Sequence, residues 1–185
     1  GSRSAAAAGV TRLCVLLLVL VAAVSAHEAA VTVDPAAASV DMMPHLDVLE
    51  DSSGLLAVED VAGGPAAARF AHVDQGSTLS GHSRSAFWLR LSLRAPAKLA
   101  EPLLLVVGYP LLDRVDFYEP RPEGGFRHQQ SGDAVPFGSR RLPLRLPTFE
   151  VAPTQGENRV YYLRVVSTGP LQTPLRLWQK RAFLA

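Results

Sequence analysis

Short apolar stretches separated by glycine- and proline-rich turns run along this sequence from residue 45 onward. They recur about every ten residues, and no stretch after residue 30 shows the apolar period of a long helix. Many short strands at this spacing predict an all-β antiparallel sandwich or barrel. The strand candidates are residues 45–51, 55–61, 86–94, 102–108, 113–120, 125–132, 144–151, 158–167 and 174–179.

The first two strand candidates flank the sequence Ser-Ser-Gly at residues 52–54. This is a hairpin signal, because a glycine at position 54 is free to take a positive φ. The connection that follows, residues 63–85, is rich in small and polar residues, and we expect one helical turn near Ala66–Phe70. With 185 residues and 48% hydrophobic content, the chain suffices for one domain with a proper core and hardly for two.

The N-terminal region has the pattern of a secretory signal peptide. Residues 13–26 read LCVLLLVLVAAVSA, follow Arg3 and Arg12 without an intervening acid, and end in small residues. We therefore predict a signal peptide over residues 1–26, cleaved before His27. The alternative is a membrane anchor, although the apolar run is shorter than the ~20 residues of a spanning helix. Residues 27–44 are predicted to be a linker or edge segment, and residues 45–185 the folded domain.

The charge of the remaining chain is close to neutral, with 16 basic against 17 acidic residues, since both charged residues of the signal are arginines. This balance favours neither nucleic acid nor an anionic membrane surface as a partner. The only cysteine, Cys14, lies within the predicted signal, so the exported domain has no disulfide. An exported domain of this kind fits a bacterial periplasm at least as well as an extracellular module.

The usual catalytic signatures fail one by one. Residues 81–85 lack the closing glycine of a nucleophile elbow, and residues 124–132 lack the lysine and helix of a phosphate-binding loop. The five histidines, at positions 27, 45, 72, 82 and 128, show no metal-ligand spacing. We predict no catalytic residue, metal or cofactor, and no enzymatic activity for this part of the protein.

Three strand candidates place aromatic and charged side chains on the face opposite their apolar one. The predicted core residues are Phe87, Leu89, Leu91, Val115, Phe117, Tyr161, Leu163 and Val165. The opposite face carries Trp88, Arg90, Asp116, Tyr118, Tyr162 and Arg164.

If the three strands are neighbours, these six side chains form one ligand-binding surface. Flat rings stack on sugars, while arginine and aspartate bind hydroxyls or carboxylates. The alternative is structural: aromatic side chains and arginines pair across strands, and Arg90 and Asp116 form an ion pair that satisfies a half-buried face. In this alternative Trp88 is simply a core residue.

Four segments in order, residues 49–61, 81–96, 103–120 and 160–178, resemble one bacterial family. It is the type-two extracellular domain of the seven-transmembrane receptors with diverse intracellular signalling modules. The resemblance implies a jelly-roll β-sandwich similar to carbohydrate-binding modules. It also implies a sensor ahead of a seven-helix membrane region and a cytoplasmic output domain such as a histidine kinase or diguanylate cyclase.

The resemblance is carried by individual residues. Those that match the family pattern are Trp88, Leu89 and Arg90, then Gly108, Tyr109, Pro110, Asp113 and Tyr118, then Tyr162, Leu163 and Arg164. Phe87 stands where the family usually has tyrosine, so a hydroxyl contact is lost there.

Two functions follow as expectations. In the first, the domain lies in the periplasm as the exported part of an inner-membrane protein, binds a carbohydrate or small carboxylate, and signals to the membrane region. In the second, the same surface holds a homodimer or a partner protein, and there is no small ligand. A small-molecule ligand such as a glycan is the expected partner in the first case.

Overall fold

The structure is a computed structural model that describes residues 30–73, 85–168 and 174–185. The predicted signal peptide lies outside the described residues. The strands are β1 (Val31–Thr32), β2 (Ser39–Asp41), β3 (Asp47–Asp51), β4 (Ala71–His72), β5 (Ala86–Arg94), β6 (Leu103–Val107), β7 (Arg114–Pro120), β8 (Phe126–Ser131), β9 (Thr148–Val151), β10 (Arg159–Val166) and β11 (Leu175–Gln179). The α-helices are α1 (Val58–Ala62) and α2 (Lys180–Leu184), and 3-10 helices span Met43–His45, Pro65–Arg69 and Phe137–Ser139.

The strands form two sheets. The larger sheet has the order β4-β3-β5-β10-β7-β8, and β1 pairs in parallel with the end of β5. The smaller sheet has the order β2-β11-β6-β9. All pairings along these two paths are antiparallel. The predicted all-β sandwich is therefore confirmed, while the jelly-roll strand path stays a prediction.

The main hydrophobic core lies between the two sheets, because alternate residues of each strand point to the same face. Leu89 and Leu163, directly opposite each other on β5 and β10, are fully buried in it. The prediction is confirmed for seven of the eight core residues, whereas Phe87 is half-buried and packs against this core.

A second, smaller apolar cluster lies on the other face of the larger sheet. Its buried members are Leu49, Val58, Val61, Ala66, Trp88 and Tyr162. Residues 52–70 pack over this face, and we call them the cover. They include α1 and the 3-10 helix Pro65–Arg69, which confirms the helical turn expected near Ala66–Phe70.

The hairpin prediction is wrong for its second strand. Gly54 does adopt a positive φ, at +66°, but the chain then forms α1 in place of a strand. Val58 and Val61 are three residues apart, so one helical turn directs both towards the sheet. The helix begins where the Asp60 carboxylate accepts the Ala57 backbone N–H at 2.8 Å.

Candidate ligand-binding site

The six predicted site residues lie on the outer face of the larger sheet, which is the face directed away from the smaller sheet. Strands β5, β10 and β7 are consecutive neighbours, and Tyr162 lies opposite both Arg90 and Tyr118. In the next row, Arg164 lies opposite both Trp88 and Asp116. The register thus brings all six into one patch of two rows.

The cover shields about half of this patch from solvent. Trp88 is 0% exposed, and Tyr162 is 5% exposed with its ring 6.2 Å from that of Phe70. These two rings are therefore packed into the second apolar cluster, where they stabilise the fold. For Trp88 this agrees with the structural alternative, in which Trp88 is a core residue. The sequence did not predict the cover itself, because the segment that carries Val58 and Val61 was interpreted as a strand.

Arg90 is bound to an acid that the sequence did not indicate. Its Nε and Nη2 donate to Asp47 Oδ2 at 3.0 and 2.8 Å. Its guanidinium lies 4.4 Å from the Phe70 ring centroid, so it also holds the cover. The ion pair considered between Arg90 and Asp116 is not formed, because β10 separates their strands and Asp47 lies directly opposite Arg90.

Asp116 is the centre of a polar cluster at the open side of the patch. Its carboxylate is 1% exposed and accepts hydrogen bonds from Arg114 Nε and Nη2 at 2.9–3.0 Å. His128 Nε2 lies 2.7 Å from it, and Arg164 Nη1 lies 4.0 Å away. The hydrogen bond to Asp116 raises the pKa of Arg114, which therefore stays cationic.

Tyr118 connects this polar cluster to the buried tryptophan. Its ring centroid is 5.6 Å from that of Trp88 and 4.9 Å from that of His128, on which it stacks. Burial raises the pKa of Tyr118, and the Asp116 carboxylate raises it further, so the hydroxyl is a neutral donor.

Four side chains of this region reach solvent, and we call Arg114, Tyr118, His128 and Arg164 the accessible rim. The side chains of Arg114 and His128 are 49% and 41% exposed, and that of Arg164 is 19% exposed. The predicted site did not include Arg114 or His128. The strand alternation placed Arg114 on the same face as Asp116 and Tyr118, so this parity was the signal that could have added it to the site.

The rim is tied to the cover by Arg164. Its Nη2 donates to the Gly54 carbonyl at 2.8 Å, and Gly54 belongs to the loop that opens the cover. The same loop is anchored by Asp51, which accepts from Ser53 Oγ at 2.6 Å and from the Leu56 N–H at 3.0 Å. A movement of the Arg164 side chain can therefore displace the cover through this single hydrogen bond.

The described part of the chain contains neither a metal-binding cluster nor a membrane-spanning helix. Within the residues that the structure describes, no three His, Cys, Asp or Glu side chains lie close enough together to hold a metal ion. In the same parts of the chain, no helix has the length and apolar character needed to cross a membrane.

The fold and the site define a class of protein: an antiparallel β-sandwich domain with an aromatic and charged patch on one sheet face. The chain belongs to the 7TMR-DISM extracellular 2 family, whose family model matches residues 43–179. It is thus an extracellular sensor domain of a membrane receptor. No curated protein matches the chain significantly.

Proposed function

We propose that this domain senses a small ligand, a carbohydrate or a small carboxylate, through the accessible rim. It lies in the periplasm as the exported part of an inner-membrane protein and passes the signal to a seven-helix membrane region and a cytoplasmic output domain. The observation that carries the proposal is the cluster around Asp116, where a buried carboxylate orients two arginines and a histidine beside a half-buried tyrosine.

The chemistry of the rim suits such ligands. A guanidinium forms charge-assisted hydrogen bonds to carboxylates and hydroxyls, and the Tyr118 ring offers a flat apolar surface at which a sugar stacks. Each such contact contributes on the order of 1–3 kcal/mol. Of the six residues first predicted, Tyr118 and Arg164 contact the ligand directly, and Asp116 orients its neighbours. The burial of Trp88, Arg90 and Tyr162 favours supporting roles.

Signalling requires that the ligand bind one arrangement of the domain better than another. The hydrogen bond from Arg164 to the Gly54 carbonyl supports a mechanism in which the position of the cover distinguishes these arrangements. A ligand that recruits Arg164 shifts the cover, and the membrane region responds to that shift.

The test is a thermal-shift panel of neutral sugars, sugar acids and small organic acids on the full chain. A ligand that binds only the folded state raises the melting temperature by mass action. Arg114→Gln should weaken the affinity about tenfold or more, because it removes a charge-assisted hydrogen bond. Arg121→Gln, an exposed arginine in the β7–β8 turn, is the matched control and should have no effect.

The competing function is a dimerisation or protein-interaction module with no small ligand. If no compound of the panel raises the melting temperature and the domain self-associates in sedimentation experiments, that alternative replaces the proposal.

A further inference from the structure

A groove runs along the outer edge of β8, the last strand of the larger sheet among the described residues. It is a cavity of about 400 Å³, and we call it the edge groove. Its lining residues are Arg127, His128, Gln129, Gln130, Ser139 and Arg141. One wall is the strand itself, and the other is formed by Ser139, at the end of the 3-10 helix Phe137–Ser139, and by Arg141.

The lining of the edge groove is basic or neutral and includes no acid. The carboxylates that pair with its two arginines belong to residues outside the lining. Arg127 pairs with buried Glu119, and Arg141 Nε and Nη2 both lie 3.1 Å from Glu150 Oε2. A guanidinium has five N–H donors, so each arginine keeps donors for a second anion while its position is fixed.

Two buried polar atoms beside the groove lack hydrogen-bond partners, which favours a polar ligand. Gln129 is 8% exposed and donates from Nε2 to the Glu150 carbonyl at 3.3 Å. Among the described residues, its Oε1 and the buried Nε of Arg127 have no hydrogen-bond partner. Buried polar groups are normally satisfied, so these two atoms can take a further polar partner such as an ordered water or a ligand atom.

The edge groove adjoins the accessible rim through His128. The imidazole lines the groove while its Nε2 lies 2.7 Å from Asp116 and its ring stacks on Tyr118. A ligand in the groove therefore touches a side chain that belongs to the cluster around Asp116.

We infer that the edge groove binds a hydroxylated carboxylate, such as a sugar acid. Arg127 and Arg141 hold the carboxylate, while Gln129, Gln130 and Ser139 hydrogen-bond the hydroxyls. This inference rests on the proposed ligand-sensing function and names its ligand class, since an uncharged sugar would leave the remaining guanidinium donors of Arg127 and Arg141 without a second anion.

The test is isothermal titration of the full chain with glucuronate, glucose and succinate. Glucuronate carries both chemical features, whereas glucose lacks the carboxylate and succinate lacks the hydroxyls. We expect glucuronate to bind at least about tenfold more tightly than either, because losing a charge-assisted hydrogen bond costs roughly that factor. Its affinity should also fall with added salt.

Variants in the segment between β8 and β9 test whether glucuronate binds in the edge groove. Arg141→Gln, at a side chain that is 55% exposed, should weaken glucuronate binding about tenfold or more. Ser139→Asp should abolish it by placing a negative charge in the groove. The matched control is Arg145→Gln, an exposed arginine of the same loop outside the lining, which should bind as the wild type does.

The outcomes separate this inference from the proposed function. If glucuronate binds no better than glucose, or if Arg141→Gln and Ser139→Asp leave its affinity unchanged, the edge groove is not the site. If Arg114→Gln alone then abolishes ligand binding, the rim binds the ligand and only the inference about the groove is overturned. If no panel compound binds at all, both are overturned.

Discussion

Arg90 and Asp47 face each other on β5 and β3, and both Nε and Nη2 of the arginine donate to one carboxylate oxygen of the aspartate. Both side chains are at least nine-tenths buried. A charge this deep in the protein requires its partner, because the desolvation cost of an unpaired ion far exceeds that of the pair. The pair also lies beneath the cover, since Arg90 contacts Phe70.

Arg90→Ala should therefore destabilise the domain by about 3 kcal/mol or more, since Asp47 is left buried with its main counter-charge removed. Urea unfolding followed by circular dichroism measures the change. Arg94→Ala is the matched control, because Arg94 is exposed at the end of the same strand and should change stability little. If Arg90→Ala keeps wild-type stability and instead abolishes ligand binding, Arg90 contacts the ligand, as the strand pattern first suggested.

Trp88 should be shielded from solvent in the folded domain, because the cover encloses it completely. The chain has two tryptophans, so Trp178→Phe leaves Trp88 as the only one. Its fluorescence should be blue-shifted and resist quenching by acrylamide. The reciprocal variant Trp88→Phe should be quenched readily, because Trp178 is only half-buried. Ready quenching of Trp88 would mean that the cover stands open in solution.

Asp51 should stabilise the loop that opens the cover in a pH-dependent way. Burial opposes its ionisation, but hydrogen bonds from Ser53 and from the Leu56 and Gly54 backbone N–H groups outweigh that effect and lower its pKa below 3.8. A lowered folded-state pKa means that the stabilisation is complete above about pH 4 and is lost as the pH falls through the folded value.

Asp51→Asn should accordingly cost about 1–3 kcal/mol at pH 7, and the difference from the wild type should shrink near pH 3. Urea unfolding at the two pH values measures both effects. Asp133→Asn serves as the control, because Asp133 is exposed. A difference from the wild type that is equal at both pH values would show that the charge of Asp51 is not what stabilises the loop.

Leu89→Ala should cost about 2–5 kcal/mol, because Leu89 is fully buried between the sheets and its truncation leaves a cavity. Leu55→Ala removes the same atoms from a side chain that is 84% exposed and should leave the free energy of unfolding nearly unchanged. Equal losses in chemical denaturation would contradict the assignment of the core face.

The alternation of apolar residues determined the sandwich and its core. A strand places successive side chains on opposite faces, so the pattern around Leu89 and that around Leu163 each fixed which side faces the main core. The same parity put Trp88 and Arg164 on one face. These properties are local, because each follows from two-residue periodicity within a single strand.

Tertiary structure alone decided what lies against that outer face. The segment that carries Val58 and Val61 reads equally well as a short strand or a helical turn, because two apolar residues do not fix a period. It became a helix where the sheet offered an apolar surface at Trp88. The partner of Arg90 was likewise set by register between distant strands, which places Asp47 opposite it and Asp116 opposite Arg164. Strand order and register depend on contacts far apart in the chain, and one strand's sequence does not contain them.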